Sequence, residues 1–213
     1  MATKLGVING ALLDLGSRRV TDTGEDNEAV EDMVGVWDRV VDDCLSAGSW
    51  NFATETVKLE ADTGVTPEFG FTEVFAKPSD WLRTAGVSLD EYFGRPLTQY
   101  YDDVGFLSAD ATPIYLRYVS NDTGMGLELA RWTPAFTRYV ELELAARVGG
   151  RVTQNGAIMV EVRKERDRAR KAALTQDAMN EAQPKFLPPS SWTLARGGRS
   201  SRNDGGSRGS LIG

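Results

Sequence analysis

Carboxylates are the residues of this 213-residue chain best suited to bond-making chemistry, because the sequence has no histidine and one cysteine. Two pairs of acids are adjacent in sequence, Asp42-Asp43 and Asp102-Asp103. Adjacent side chains on a helix or strand point in different directions, so neither pair has the spacing of an acid–base couple. We expect both pairs to lie on a solvated surface, and we expect no catalytic site.

Cofactor and metal sites are not expected either. The missing histidines remove the commonest general base and most transition-metal sites. The sequence has no phosphate-binding loop, dinucleotide fingerprint, calcium loop or zinc spacing. Cys44 lies in an apolar helical stripe, which predicts a buried thiol and not a nucleophile. These patterns together predict a protein that is not an enzyme.

Charge divides the chain into an acidic body and a basic C-terminal arm. Residues 1–183 hold 19 basic and 30 acidic residues, a net charge of −11, whereas residues 184–213 hold 5 basic and 1 acidic residue, a net charge of +4. The arm is rich in Gly, Ser, Pro and Arg and is predicted to be flexible and extended, because such a segment buries too little apolar area to fold alone. The acidic body is not expected to bind nucleic acid, because its negative charge repels phosphates.

The arm combines apolar residues with a basic end, and it is the candidate docking segment for a portal protein or a neighbouring subunit. Its candidate docking residues are Phe186, Leu187, Trp192, Leu194, Arg196, Arg199, Arg202 and Arg208. Apolar anchors ahead of a basic end suit a protein groove. Two alternatives remain open. The arginine–glycine run could bind nucleic acid without sequence preference, or the arm could be inert.

The elements that carry these residues are predicted to form an α+β fold. The spacing of apolar residues predicts four helices, at 3–15, 26–47, 134–149 and 157–182, which pack as a bundle. Asp26 is expected to cap the second helix, and Gly149-Gly150 to end the third. A β-rich insertion at about 51–119 separates the second and third helices and is predicted to be a small antiparallel sheet or sandwich. No run approaches the roughly 20 apolar residues that cross a bilayer, so no membrane partner is expected.

Five short strands are predicted inside the insertion, at Thr54–Ala61, Phe71–Phe75, Leu82–Leu89, Leu97–Tyr101 and Ile114–Val119. Aromatic residues flank them. Trp50 and Phe52 could form a docking surface, but the pattern favours a role in closing the joint between helices and sheet. Trp81 could be a platform for a carbohydrate or a base, but it more simply pins the Pro78-Ser79-Asp80 turn to the core.

An ordered set of segments resembles a known family. These segments are Ala47-Gly48-Ser49-Trp50-Asn51-Phe52, Lys77-Pro78-Ser79-Asp80-Trp81-Leu82-Arg83, Ile114-Tyr115-Leu116-Arg117-Tyr118, and a helix with Phe136 and Leu142-Glu143-Leu144-Ala145-Ala146-Arg147. The set resembles the tail tubular protein A family, the head-to-tail adaptors of short-tailed bacteriophages. The likeness covers about residues 3–182 and carries no catalytic motif.

The resemblance implies a structural virion protein at the head–tail junction, assembled in the host cytoplasm. Twelve copies would form a ring beneath the portal protein, and the lower face of the ring would receive the tail nozzle or the next tail protein. Double-stranded DNA would pass through the ring without being held, and an acidic wall would suit that passage because it repels phosphates. Asp38, Asp42 and Asp43 are the candidate acids that face the lumen.

Three other functions remain open on the sequence. The chain could be a different tail-completion or stopper protein, with a different number of copies in its ring. It could be a nucleic-acid-binding protein that acts through the basic arm, in which case its DNA binding would be sensitive to salt. A carboxylate-dependent hydrolase is the third, and the lack of paired-acid spacing argues against it.

Overall fold

The computed structural model describes residues 2–25, 27–65, 67 and 70–180, all within the unit Met1–Asn180. These residues form four α-helices and two small antiparallel sheets, which confirms the predicted α+β class. The helices are α1 (Lys4–Asp14), α2 (Glu28–Ser46), α3 (Pro134–Val152) and α4 (Gly156–Asn180). The strands are β1 (Thr54–Leu59), β2 (Glu73–Ala76), β3 (Trp81–Ser88), β4 (Tyr101–Asp102), β5 (Phe106–Ala109) and β6 (Ile114–Ser120). The arm, residues 184–213, lies outside the described residues.

The first two helices begin and end at residues whose local chemistry explains the boundary. Thr3 caps α1 by accepting a hydrogen bond from the backbone of Gly6, and Gly16 follows the helix with a φ of 71°. The cap of α2 is Asn27, whose side chain accepts from the backbone of Ala29 at 3.0 Å. The prediction that Asp26 caps this helix is therefore wrong by one residue. Both side chains can cap, and sequence alone does not choose between neighbours.

Helix α3 lies at the centre of the helical body, where it packs against α1, α2 and α4. It begins as predicted at Thr133-Pro134, and Thr133 Oγ1 accepts from the backbone of Phe136 at 3.2 Å. The predicted end at Gly149-Gly150 is wrong, because the helix continues to Val152. Gly149 is buried inside the bundle, and a Cβ there would lie 2.6 Å from both Leu15 Cδ2 and Met159 Sδ. This glycine permits close packing of α1 and α4 on α3 and does not end the helix.

The insertion forms two three-stranded sheets, which agrees with the sandwich alternative of the sequence prediction. The first has the order β1-β6-β3 and the second has the order β2-β5-β4, and all pairs are antiparallel. A second buried cluster takes residues from both sheets, which pack on each other through it. Its members are Phe75, Val87, Leu107, Ala109, Ile114, Leu116 and Tyr118.

The strand predictions are confirmed in four places and fail in two. The strands predicted at 54–61, 71–75, 82–89 and 114–119 exist with shifted ends, whereas only Tyr101 of the predicted Leu97–Tyr101 lies in a strand. Leu97 instead joins the β-core from a loop, and its backbone N–H donates to the carbonyl of Val87. Strand β5 was not predicted. Its sequence Phe-Leu-Ser-Ala is short, and pairing on both sides makes it the centre of its sheet.

None of the helices in the described part of the chain is both long enough and apolar enough to span a membrane.

Candidate assembly surfaces

The joint between helices and sheets is built from Phe136 and four aromatic side chains around it. The ring centroid of Phe136 lies 4.8 Å from that of Trp50, 4.9 Å from that of Phe52 and 5.0 Å from that of Trp132, all in edge-on geometry. Tyr139 completes the cluster at 6.3 Å. The indole N–H of Trp50 donates to the carbonyl of Cys44 at 3.0 Å, so the buried ring has its polar partner. Trp50 and Phe52 therefore close the joint, as the sequence favoured, and form no docking surface.

The end of α4 is fastened to the same joint. The carboxylate of Asp177, which is 8% exposed, accepts from the backbone N–H of Asn51 at 3.1 Å. The Asn51 amide in turn donates to the carbonyl of Asp177 at 2.8 Å. A contact between residues 126 positions apart closes the helical body on the turn that leads into β1.

The Lys77–Arg83 segment has a structural role in the described chain. The Lys77 side chain is 2% exposed, and its ammonium lies 3.5 Å from the Trp81 ring centroid and forms an ion pair with Asp102. The Asp80 carboxylate accepts from the hydroxyl groups of Tyr118 and Ser120. Burial, together with the charge of Asp80, raises the pKa of Tyr118. Trp81 thus pins the turn to the β-core, as the simpler interpretation expected.

Cys44 is buried, as predicted. Burial, with the nearby charge of Glu143 as a lesser cause, raises the pKa of its thiol to about 12. A thiol that stays protonated at neutral pH is a poor nucleophile, so the side chain acts as a small apolar group. Among the residues that the structure describes, no group of three or more Cys, Asp or Glu side chains is placed to hold a metal ion.

The acids of α2 divide between two flanks of the helix. Asp32 and Glu28 pair with Arg151 of α3 at 2.7 Å and 3.1 Å. Asp43 pairs with Arg147 of α3 at 2.8 Å. The acids on one flank of α2 therefore form ion pairs with arginines of α3. The candidate lumen acid Asp43 lies on that flank.

The other flank of α2 keeps its negative charge. Glu31 and Asp38 are exposed and make no ion pair with any described residue. Asp42 is partly buried, and it accepts a long hydrogen bond of 3.4 Å from the Asn121 amide. The three candidate lumen acids are thus not equivalent, because Asp38 and Asp42 lie on this flank and Asp43 does not.

Helix α4 carries the opposite charge. Between Gly156 and Asn180 it holds six basic and four acidic residues, while α2 holds six acidic residues and one basic residue. Some of the basic residues pair along the helix, as Lys164 does with Glu161 at 3.5 Å and Arg168 with Glu165. Arg163 and Lys171 are exposed and make no ion pair within the described chain.

A hollow of about 420 Å³ lies between α2, α3 and α4 and is lined by charged side chains. At its base the carboxylate of Glu143, 8% exposed, accepts from Arg147 at 2.9 Å and lies 3.7 Å from Arg166. Each buried charge therefore has a partner of opposite sign, and the network fixes the spacing of the three helices. The acids and arginines here neutralise one another, so we assign no ligand to this hollow.

A second hollow of about 230 Å³ lies between α1, α3 and α4. Its apolar lining comes from Leu142, Ile158 and Val162. Its rim is acidic, with Glu161 and Glu165, and also holds Asp14, which pairs with Arg138 at 2.7 Å. This is the one hollow of those described here whose lining is mainly apolar.

The β-region exposes apolar side chains at the turn between β4 and β5. Val104 is 89% exposed, and Tyr101 and Phe106 beside it are also exposed. Asp103 at this turn is exposed, which agrees with the expected surface position of the Asp102-Asp103 pair. The exposed apolar residues of this turn leave no clear pattern in the sequence, because the strands on either side are short.

No protein-family model matches the sequence, and a search of curated proteins likewise gives no match.

Proposed function

We propose that the chain is a structural virion protein, a head-to-tail adaptor that forms a ring between a portal protein and the tail. One observation carries the proposal. Three of the four segments on which the resemblance depends, far apart in sequence, contribute to the joint between the helices and the sheets, and the fourth, Ile114–Tyr118, lies in the β-core. Trp50, Phe52 and Phe136 form its aromatic centre, and Arg83 Nη1 donates to the carbonyl of Ser46 at 3.3 Å.

Such a joint maintains the packing of the helices on the sheets. Its polar groups are hydrogen-bonded to each other and its rings are packed, so none is free to act on a substrate. The order of the elements, with a β-region between the second and third helices of a bundle, is the order that the resemblance implies. In the ring, neighbours would meet through heterologous head-to-tail contacts. The net charge of −7 suits a conduit that lets DNA pass without binding it.

The proposed partners are the portal protein, the tail nozzle or next tail protein, other copies of this chain, and DNA in transit. The experiment mixes the purified chain with the portal protein encoded beside it and images the complex by electron microscopy. We expect a ring of twelve copies on the portal. A stopper or other completion protein would give a different number of copies, and a protein that neither binds the portal nor forms rings would refute the proposal.

The arm, residues 184–213, is proposed to reach the portal or a neighbouring subunit. A chain truncated after residue 183 should keep the unfolding transition of the full chain and lose portal affinity. Equal portal binding by the truncated chain would refute this role. The same variant tests the nucleic-acid alternative, which the five basic residues of the arm favour. In that case the full chain would bind DNA with strong salt dependence and the truncated chain would not.

A further inference from the structure

The free flank of α2 presents a narrow negative stripe with a glycine at its centre. We define the α2 ridge as Glu31, Gly35, Asp38 and Asp42, whose spacing of four, three and four residues places them on one side of the helix. They lie about 100° around the helix axis from Asp32 and Asp43, which pair with α3. The ridge therefore faces away from the centre of its own bundle.

Gly35, at the centre of the α2 ridge, is a second feature that suits a contact with another helix. It lies in the middle of the 19-residue helix α2, is exposed, and a Cβ added to it would meet no described residue within 4 Å. Glycine weakens an exposed helix interior relative to alanine, and no contact among the residues that the structure describes explains its presence here. A glycine between two acids lets a second helix approach the backbone closely and brings both carboxylates within reach of cations on that helix.

The outer side of α4 has the complementary pattern. Lys164 and Lys171 are exposed, seven residues apart, and lie on the side of α4 opposite its buried residues. We call these two residues the α4 face. Glu31 and Asp38 of the ridge are also seven residues apart, which is about 10.5 Å along a helix, so the two rows of charges match in length.

We propose that the α2 ridge of one copy binds the α4 face of the next copy, and that this contact is the side-by-side interface of the ring. The inference rests on the proposed function, and it names the surfaces that join neighbours. The ridge residues Glu31 and Asp38 and the α4-face lysines are exposed within a copy, and no ion pair joins the two surfaces among the described residues, so we infer that they meet between copies. Such a contact is head-to-tail and can close into a ring. It places Asp38 and Asp42 between subunits instead of on the channel wall.

Carbodiimide coupling tests the contact on the full chain, because the reagent joins a carboxylate directly to a nearby lysine amine. The chain has six lysines, and two of them lie on the α4 face. Equal amounts of ordinary and ¹⁵N-labelled protein are mixed at high concentration, coupled and digested, so that mixed-label peptides report links between copies. We expect links from Glu31, Asp38 or Asp42 to Lys164 or Lys171, with yields that fall as NaCl rises from about 0.1 to about 1 M. As a matched control, Lys164→Arg with Lys171→Arg keeps the charge and removes the amines, so association persists without links.

Charge exchange tests the pairing itself, with sedimentation velocity as the measure of association. Glu31→Lys with Asp38→Lys, or Lys164→Glu with Lys171→Glu, should weaken association at least about tenfold, because like charges across an interface are unfavourable. All four substitutions in one chain should restore it to within about threefold. All four sites are exposed, and circular dichroism checks that each variant is folded.

The outcomes separate this inference from the proposed function. Absence of ridge-to-face links, or no recovery in the fourfold variant, overturns the inference, and portal-bound rings seen in that case would leave the adaptor function standing. Links and recovery without any portal binding would support the contact and refute the adaptor function. If reversal of the α4 face abolishes DNA binding and leaves association unchanged, the α4 face serves DNA and the inference is overturned.

Discussion

Replacing Gly35 by alanine should stabilise the isolated protein and weaken its assembly. The position lies in a helix interior, and the added Cβ would meet no atom of the described part of the chain within 4 Å. The gain is therefore the difference in helix propensity between the two residues, about 0.8–1.0 kcal/mol in the free energy of unfolding. For a chain of this size, that gain raises the midpoint of thermal unfolding by about 2–4 °C.

Urea unfolding followed by circular dichroism measures the first effect. It is done at micromolar protein in about 1 M NaCl, where the Debye length is about 3 Å and contacts between charged faces are screened. The midpoint should rise with the slope of the transition unchanged, since the exposed area of unfolding stays the same. Sedimentation at low salt measures the second effect, and there the variant should associate more weakly, because the extra methyl group separates the two helices.

Gly126 provides the matched control. It is buried in the turn after β6, and a Cβ added there would overlap the backbone oxygen of Ser120 and lie 3.1 Å from Leu45 Cδ1. The backbone cannot move aside cheaply, so Gly126→Ala should cost about 1–3 kcal/mol. Two results would refute the reasoning about Gly35. Destabilisation by Gly35→Ala would mean that the site is not open, and stabilisation with unchanged association would remove Gly35 from the subunit contact.

Three further predictions concern the interior. Phe136→Ala should lower the free energy of unfolding by about 3–5 kcal/mol in urea titrations, since it empties the centre of the aromatic joint, and a loss below about 1 kcal/mol would contradict the packing described. Asp177→Ala should cost at least about 1–3 kcal/mol, because the backbone N–H of Asn51 loses its acceptor. It should also speed exchange of that amide hydrogen, and unchanged protection would refute the contact. Cys44 should resist thiol reagents at pH 8 until urea unfolds the chain. Because burial raises the pKa of the Cys44 thiol, above about pH 9 the thiol ionises in the unfolded chain and stays protonated in the folded chain. The free energy of unfolding should therefore fall by about 1.4 kcal/mol per pH unit from this group. Cys44→Ala should remove that part of the pH dependence.

Helical periodicity predicted the features that depend on a single helix, such as which of its residues are buried. The sequence pattern placed Cys44 in an apolar stripe of α2, and the structure buries it with six other residues of that helix, because the spacing of an amphipathic helix reflects its burial. The sheet was harder. Strand β5 has four residues, and its strand character comes from pairing with β2, which is distant in sequence, and with β4, which has only two residues. Pairing between distant short segments leaves almost no local signal.

Glycine was misinterpreted at one position and overlooked at another, for the same physical reason. Gly149 was expected to end α3, yet the residue serves the close packing of Leu15 and Met159 against the helix. The sequence pattern assigned no role to Gly35, and no contact among the described residues explains a glycine at that position. A glycine in a helical pattern can end the helix or admit a neighbour, and only the position of other backbones distinguishes the two.

The charge pattern shows why a list of acids does not define a channel wall. The sequence groups Asp38, Asp42 and Asp43 on one acidic helix, but the fold gives Asp43 to Arg147 and leaves Asp38 without an ion pair in the described chain. Arg147 on α3 neutralises the charge of Asp43, and this ion pair cannot be predicted from the sequence of α2 alone. The negative charge that remains on α2 is confined to a stripe narrow enough for one helix to cover, whereas a wall that repels DNA needs charge spread around the whole lumen. A stripe of that width is better matched to a neighbouring α4 than to a duplex.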